Sequence, residues 1–331
     1  MQPFEYRRET DVQAAINVIA AAKDAKFLAG GTNLVDLMKQ QVERPSQLID
    51  ISRLNLNAIE ELPDGGLRLG ALARNADTAD HPLVRQRYPM LARAILAGAS
   101  PQLRNMATNG GNLMQRTRCY YFYDPAYAQC NKRDPGSGCS ALDGYNRIHA
   151  ILGASPQCIC THPSDMCVAL SALAAQVRVR NAHGERTIAF SNFHRLPGSN
   201  PEVDTNLRPD DLILSIDLPA GPYAAHSAYV KVRDRASYSF ALVSAAAALE
   251  LDGTTIRSAR LALGGVAHKP WRNEAAETRL AGKQANEASF RSVAEEVLRE
   301  AKPYKHNAFK VELARRTIVR AFTLAAEGEN A

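Results

Sequence analysis

The stretch "AKFLAGGTNLVDLMKQQ", residues 25–41, carries the reading of the fold. Lys26 to Ala29 is a short run of the kind that forms a buried strand. Gly30-Gly31 makes a turn, and Thr32 or Asn33 caps a helix with Leu34, Leu37 and Met38 on its inner face. Such a turn aims backbone N–H groups outward with no Cβ in the way, which suits a phosphate or pyrophosphate. The stretch is not G-x-G-x-x-G and lacks the G-K-[ST] of a P-loop, so a plain tight turn stands beside the anion reading.

The alternation continues outward from this stretch. Thr10 to Gln13 reads as a capping box opening an alanine-rich helix to about Ala22. "QLIDIS" (47–52) is a strand, "GLRLGALARNADTAD" (66–80) runs from strand to helix start, and residues 83–98 form an amphipathic helix. "TNGGNL" (108–113) is a second glycine turn flanked by Thr and Asn. Two such turns point to a ligand with several polar groups along its length, such as a dinucleotide. In "HPSDMCVALSALAA" (162–175) Ser164 is the N-cap and Asp165 lies in the first helical turn. Its carboxylate either accepts from a sugar or ribityl hydroxyl or simply favours the helix N-terminus.

"PAGPY" (219–223) marks a domain boundary. Beyond it "SAYVKVR", "FALVSAAAALEL" and "TIRSARLALGGVA" read as three successive strands, with helices at about 285–301 and 309–326. Lys231 alternates with Val230 and Val232, a pattern that puts it on a solvent face, with an anion as its other possible target. The 331 residues suit two domains. The net charge is +6 without a basic run, so no nucleic-acid partner is expected. No apolar stretch approaches the ~18 residues of a membrane span. The start "MQPFEYRRET" has no apolar signal region. There is no G-x-S-x-G and no H-E-x-x-H, and no catalytic residue is assigned.

All six cysteines fall in one window, as Cys119-x10-Cys130-x8-Cys139-x18-Cys158-x1-Cys160-x6-Cys167. The lack of a C-x2-C pair argues against zinc ribbons and thioredoxin-type chemistry. A chain with a full core rarely depends on disulfides. An iron–sulfur cluster needs four thiolates from a loop that can be irregular, and Arg116, Arg118, Lys132 and Arg133 lie nearby to offset its negative charge. Zinc, disulfides and unrelated free thiols stay open on spacing alone. Cys167, in a helix, fits a small apolar packing residue.

Taken in order, "KFLAGGTNLVDLMK", "LGALARN", "ATNGGNL", "HPSDM" and "YVKVRDRASYSFALVSAAAAL" resemble the FAD-binding subunit of the molybdenum hydroxylases, the xanthine dehydrogenase and carbon monoxide dehydrogenase family. The resemblance spans essentially the whole chain. It implies an α+β fold, with a two-part FAD-binding domain of vanillyl-alcohol-oxidase (PCMH) type over residues 1–222. A small C-terminal domain with a three-stranded sheet and helices follows over 223–331. It implies that Lys26, Phe27, Leu28, Ala29, Gly30, Gly31, Thr32, Asn33 and Leu34 hold the FAD diphosphate. Thr108, Asn109, Gly110, Gly111 and Asn112 would contact the flavin moiety and diphosphate, and Asp165, Ile213 and Lys231 would also touch FAD. A lysine there would stabilise reduced, anionic flavin.

The family commonly has a few residues between "GGNL" and "HPSD", whereas this chain has an insert over about 115–160 that holds most of the cysteines. The segments "RTRCYYFYD", "CNKR", "PGSGC" and "THPSD" look like the flavin subunit of bacterial periplasmic aldehyde oxidoreductases. That likeness implies a [4Fe–4S] cluster on Cys119, Cys130, Cys139 and Cys158, with Cys160 and Cys167 free. The implied function is an electron-transfer subunit in a heterotrimer with a molybdenum-cofactor large subunit and a [2Fe–2S] small subunit. It would pass electrons from aldehyde oxidation to an external acceptor, and be exported to the periplasm with a signal-bearing partner. The alternatives are flavin subunits of the 4-hydroxybenzoyl-CoA reductase or xanthine dehydrogenase type, a free-standing flavin oxidase, and a non-enzymatic zinc-binding scaffold.

Overall fold

A computed structural model describes residues 1–328; residues 329–331, the end of the expected second domain, lie outside them. The first sheet is parallel and pairs β1 (Glu5–Arg8) and β2 (Ala25–Leu28) on either side of β3 (Gln47–Asp50). The second is antiparallel, in the order β4 (Ile59–Glu61), β5 (Leu67–Gly70), β8 (Leu212–Leu218), β6 (Gln176–Asn181) and β7 (Gly184–Ala189). These two sheets match the two-part first domain that the resemblance implies. β8 arrives from far along the chain to sit between β5 and β6, so the insert and the helix Asp165–Ala172 are looped out from a closed frame.

The C-terminal sheet runs β9 (Ser227–Val232), β10 (Val243–Asp252), β11 (Thr255–Gly264) and β12 (Trp271–Arg272). The expected three strands are present, and a fourth two-residue edge strand is added, too short to leave a period in the sequence. The alanines of β10 have a reason. Ala245 and Ala247 pack into the C-terminal core with the helix Phe309–Glu327, while Ala246 and Ala248 pack into the core of the first domain. Alternate side chains point to opposite faces, so this strand is buried on both, and small side chains let both layers close on it.

Three helix readings change. Asp11, not Thr10, caps the first helix: its carboxylate accepts from Ala14 N at 2.8 Å, and Gln13 bonds Asn17 instead. The span 83–98 is two helices, Pro82–Arg87 and Pro89–Ala97, because Pro89 has no N–H to continue the first and its ring disfavours helical geometry at Tyr88. Asn33 precedes the helix Leu34–Lys39 but makes no side-chain cap; its amide oxygen accepts from Arg116 N at 2.9 Å. The later helices are Glu287–Val297 and Phe309–Glu327, with an unforeseen short helix at Glu274–Thr278. Ser164 caps its helix as expected, accepting from Cys167 N at 3.0 Å.

The insert has little regular structure beyond the single turn Tyr120–Tyr123. Side chains from the C-terminal domain hold it. Lys310, fully buried, donates to the carbonyls of Ile148, His149 and Gly265, and Asn307 donates to those of His149 and Ala150. Three carbonyl acceptors satisfy the buried amine that burial otherwise makes costly.

Candidate cofactor cleft and thiol pocket

Two hollows meet at the glycine turns. One, of about 420 Å³, is lined by the whole run Lys26 to Leu34, with Thr108, Gly110, Gly111 and Ile213 on its walls. The other, of about 610 Å³, is lined by Asn112, Ser164, Asp165, Tyr238 and Phe240. Gly31, Thr32, Asn33, Gly111 and Gln115 line both, so the hollows form one elongated cleft with the two glycine turns at its waist.

The waist fits a diphosphate. Among the described residues, the backbone N–H groups of Gly30, Gly31, Thr32 and Asn33 have no protein acceptor. Unpaired donors gathered at one turn are what an anionic ligand satisfies. Gly31 has φ +71°, in the left-handed region. At Gly30 an added Cβ would stand 1.8 Å from the carbonyl oxygen of Met106, so the two glycine-bearing segments touch backbone to backbone.

Two residues named from the sequence do not line the cleft. Asn109 is fully buried behind it, its amide donating to Gly70 O at 3.2 Å and Thr78 Oγ1 at 2.9 Å. Lys231 faces inward, not to solvent, because β9 is covered on both sides. Its Nζ donates to Asp165 Oδ2 at 2.8 Å and Ala97 O at 2.9 Å, and Tyr229 donates to Asp165 Oδ1 at 2.6 Å. The ammonium is neutralised within the protein, so Lys231 is not a free cation for reduced flavin. Its place is to anchor Asp165, which does line the second hollow. Lys231→Met is expected to cost about 3 kcal/mol or more, since the Asp165 carboxylate is then buried without its counter-ion; urea unfolding monitored by circular dichroism measures the loss.

A charge ladder that the sequence did not single out forms the wall of the first hollow. Lys26 pairs with Glu43 at 3.2 Å; Arg116 donates to Glu43 at 2.5 Å and to Asp204 at 2.9 Å; Lys132 pairs with Asp204. Burial raises both acids, and the neighbouring cations outweigh it. Lys26 and Arg116 hold Glu43 below its ordinary value; Lys132 and Arg116 hold Asp204 well below the usual carboxylate range. Asp50 behaves alike: burial opposes its charge, but bonds from Tyr6, Ser52 and Arg8 bring it to about 2. A carboxyl lowered in the folded state contributes stability above its unfolded value of about 4 and loses it as pH falls through the folded value. The urea midpoint is therefore expected to drop between about pH 4 and pH 2. An unchanged midpoint across that window would contradict these pairings.

Cys119, Cys130, Cys158 and Cys160 are buried in one apolar cluster with Tyr121, Phe122 and Leu37, and half-buried Cys139 packs against it. Cys130 and Cys139 face each other across an isolated antiparallel bridge. None of the six cysteines is disulfide-bonded. Burial pushes the Cys119 and Cys139 thiols up. Cys167 lies apart, fully buried in the first-domain core, where burial lifts it to about 12. His149, unmarked in the sequence, brings Nε2 within 3.1 Å of Cys119 Sγ.

The nearby cations do not face the thiols as a group. Arg116 is held by acids, Arg118 by Asp36, and Arg133 by the carbonyls of Tyr121, Phe122 and Tyr127. Lys132 is bonded to Asp204 and Pro201 O, yet its field still reaches Cys158 and Cys160. Leu37 lies in the thiol cluster and also lines the first hollow, so the two adjoin at this side chain. Asn33 Nδ2 donates to Tyr123 OH at 3.1 Å, tying the insert to the first glycine turn.

Residues 2–221 match the family described as FAD binding domain in molybdopterin dehydrogenase, and residues 227–325 match the CO dehydrogenase flavoprotein C-terminal domain. The chain is 51% identical over 321 residues to the aldehyde oxidoreductase FAD-binding subunit PaoB of Escherichia coli, with 96% of each chain covered. It is 28% identical over 300 residues to the glyceraldehyde dehydrogenase medium chain of Sulfolobus acidocaldarius, covering 91% of this chain and 89% of that one. Among solved structures, carbon monoxide dehydrogenase from Hydrogenophaga pseudoflava aligns with a TM-score of 0.77 at 25% identity, over 98% of this chain and 97% of that one. The quinoline 2-oxidoreductase of Pseudomonas putida 86 aligns at 0.75 and 24% identity, over 98% of both chains. A dinucleotide-length cleft with free N–H groups at its waist, on this fold and with these matches, makes the chain an FAD-binding subunit of the molybdenum hydroxylase family of oxidoreductases.

Proposed function

We propose that this chain is the FAD and [4Fe–4S] electron-transfer subunit of a molybdenum-dependent aldehyde oxidoreductase. In this reading its unit 1–222 binds FAD, interrupted by the thiol insert at 115–160, and 223–331 forms the second unit. It works in a heterotrimer with a molybdenum-cofactor large subunit and a [2Fe–2S] small subunit. Electrons from aldehyde oxidation in the partner leave through it to an external acceptor. It is carried to the periplasm by a signal-bearing partner, and stays cytoplasmic without one. The observation that carries the reading is the gathering of the insert's thiols in one buried pocket behind Leu37, the far side of which lines the cofactor cleft. The 51% identity to an aldehyde oxidoreductase subunit favours an aldehyde over the xanthine-type alternatives, whose relatives match at 26%.

The cofactors supply the redox chemistry. The chain binds and positions. The N–H groups of Gly30 to Asn33 take the diphosphate, and Asp165, held from behind by Lys231 and Tyr229, presents an acceptor to the second hollow. Cys119, Cys130, Cys139 and Cys158 supply four thiolates, and Phe122 and Tyr121 keep water from them. An absorption spectrum of the anaerobically purified protein, with iron and acid-labile sulfide assays, tests this. Flavin bands on a broad iron–sulfur absorbance, with about four iron and four sulfide per chain, are expected. Flavin without iron would remove the cluster and return the thiol pocket to zinc or free thiols.

A further inference from the structure

The thiol pocket holds one sulfur more than a four-thiolate site needs. Cys160 is 3% exposed and shares the cluster of Cys119, Cys130 and Cys158. The ligand atoms of Cys158, Cys160 and His268 all lie within 4.8 Å of one another. Outer ligands on different corners of an iron–sulfur cube point away from each other. Two sulfurs this close therefore converge on a single corner. His268 is anchored through Nδ1 to Arg195 O at 2.8 Å, while its buried Nε2 has no hydrogen-bond partner. Among the described residues, neither Cys130 nor Cys139 belongs to a group of three or more close ligand atoms, while Cys119 has His149 Nε2 at 3.1 Å.

We propose that Cys160 is a reserve ligand for the corner that Cys158 serves, so that this position tolerates loss of its first thiol. The inference rests on the iron–sulfur reading above and specifies one site within it. When Cys158 is absent, an Fe–Sγ bond to Cys160 takes the place of the Fe–Sγ bond to Cys158, and the Cys160 thiol proton is released to the buffer as for any thiolate ligand.

The test uses the full chain purified anaerobically without its partner subunits, whose [2Fe–2S] iron would add to the count, and reads iron, sulfide and flavin per chain, with the electron paramagnetic resonance spectrum of the reduced sample. Alanine replaces each cysteine so that no serine oxygen can ligate. Cys158→Ala and Cys160→Ala are each expected to keep about four iron per chain, the first with a shifted spectrum. Cys158→Ala/Cys160→Ala is expected to lose them, like Cys130→Ala. Flavin content reports folding in every sample. A flavin-loaded Cys158→Ala protein as empty of iron as Cys130→Ala overturns the proposal while leaving the cluster intact in the unaltered chain. An unaltered chain with flavin and no iron overturns the iron–sulfur reading and this proposal together. Should the double variant lose its flavin as well, the iron content of Cys158→Ala still decides.

Discussion

Cys130→Ala is expected to strip the protein of iron and acid-labile sulfide, from about four of each per chain to near zero, while leaving FAD in place. Cys130 is 7% exposed and lies opposite Cys139 on a bridge that the chain makes only within the insert. Its backbone is fixed from three sides: Cys130 N donates to Ser137 Oγ at 3.0 Å, and Cys130 O accepts from Arg133 N at 2.9 Å and Asp134 N at 2.8 Å. Among the described residues Cys130 belongs to no group of three or more close ligand atoms, so the loss should be complete rather than graded. Cys130 lines neither hollow, so the flavin should stay. Loss of both cofactors together would mean that the pocket holds the fold of the first domain and not only a cluster. Turnover of the assembled complex adds a separate result. Retained aldehyde oxidation in a cluster-free, flavin-loaded variant would show that the cluster is not an obligatory relay.

Gly30→Ala is expected to weaken FAD binding by tenfold or more, with a matching fall in flavin occupancy after purification. The new Cβ would sit 1.8 Å from Met106 O and 2.7 Å from Met106 C, and these are backbone atoms. They cannot swing aside. Met106 N is held to Leu103 O at 3.0 Å, Ala107 N to Leu103 O at 2.8 Å, and Ala107 O accepts from Asn75 N at 2.8 Å. The turn at 29–33 must move instead, and overpacking of this kind costs about 1–3 kcal/mol. About 1.4 kcal/mol is tenfold in affinity, and the moved groups are the free N–H donors at the waist of the cleft. Flavin titration of deflavinated protein gives the number. Gly136→Ala is the contrast. Unlike Gly30 it has positive φ, but nothing lies within 4 Å of its added Cβ, so only local backbone strain of about 1 kcal/mol is expected. Equal affinity in the Gly30→Ala and unaltered proteins would show that the close contact with Met106 does not set the turn.

Much of the first site was legible because it is local. A strand, two glycines and a helix start within ten residues of each other, so the sequence names Lys26 to Leu34 and the structure lines one hollow with all of them. The same holds for Ser164 as an N-cap, whose bond spans three residues. Lys231 was misread for the opposite reason. Its alternation with Val230 and Val232 is real, but the face taken for solvent is covered by the first domain, and burial is not encoded in the period of one strand. Asn109 sits inside a glycine motif, yet one residue's rotation in the helix turns its amide to Gly70 and Thr78, away from the cleft.

By itself the sequence determined the elements around the glycine turns, the order of those turns, the confinement of the thiols to one window, and with them the family. These follow from propensity, spacing and chain order, which act over a few residues. Only the tertiary structure decided which groups meet. Glu43, Arg116 and Asp204 come from three separated segments to wall the first hollow. Asp165 and Lys231 find each other across two domains. Cys160, left free by the resemblance, has its sulfur within 4.8 Å of the ligand atoms of Cys158 and of His268, the last more than a hundred residues on in the chain. Long-range packing brings such groups together, and buried charges and thiols then select their partners because an unpaired one is costly in a low-dielectric interior.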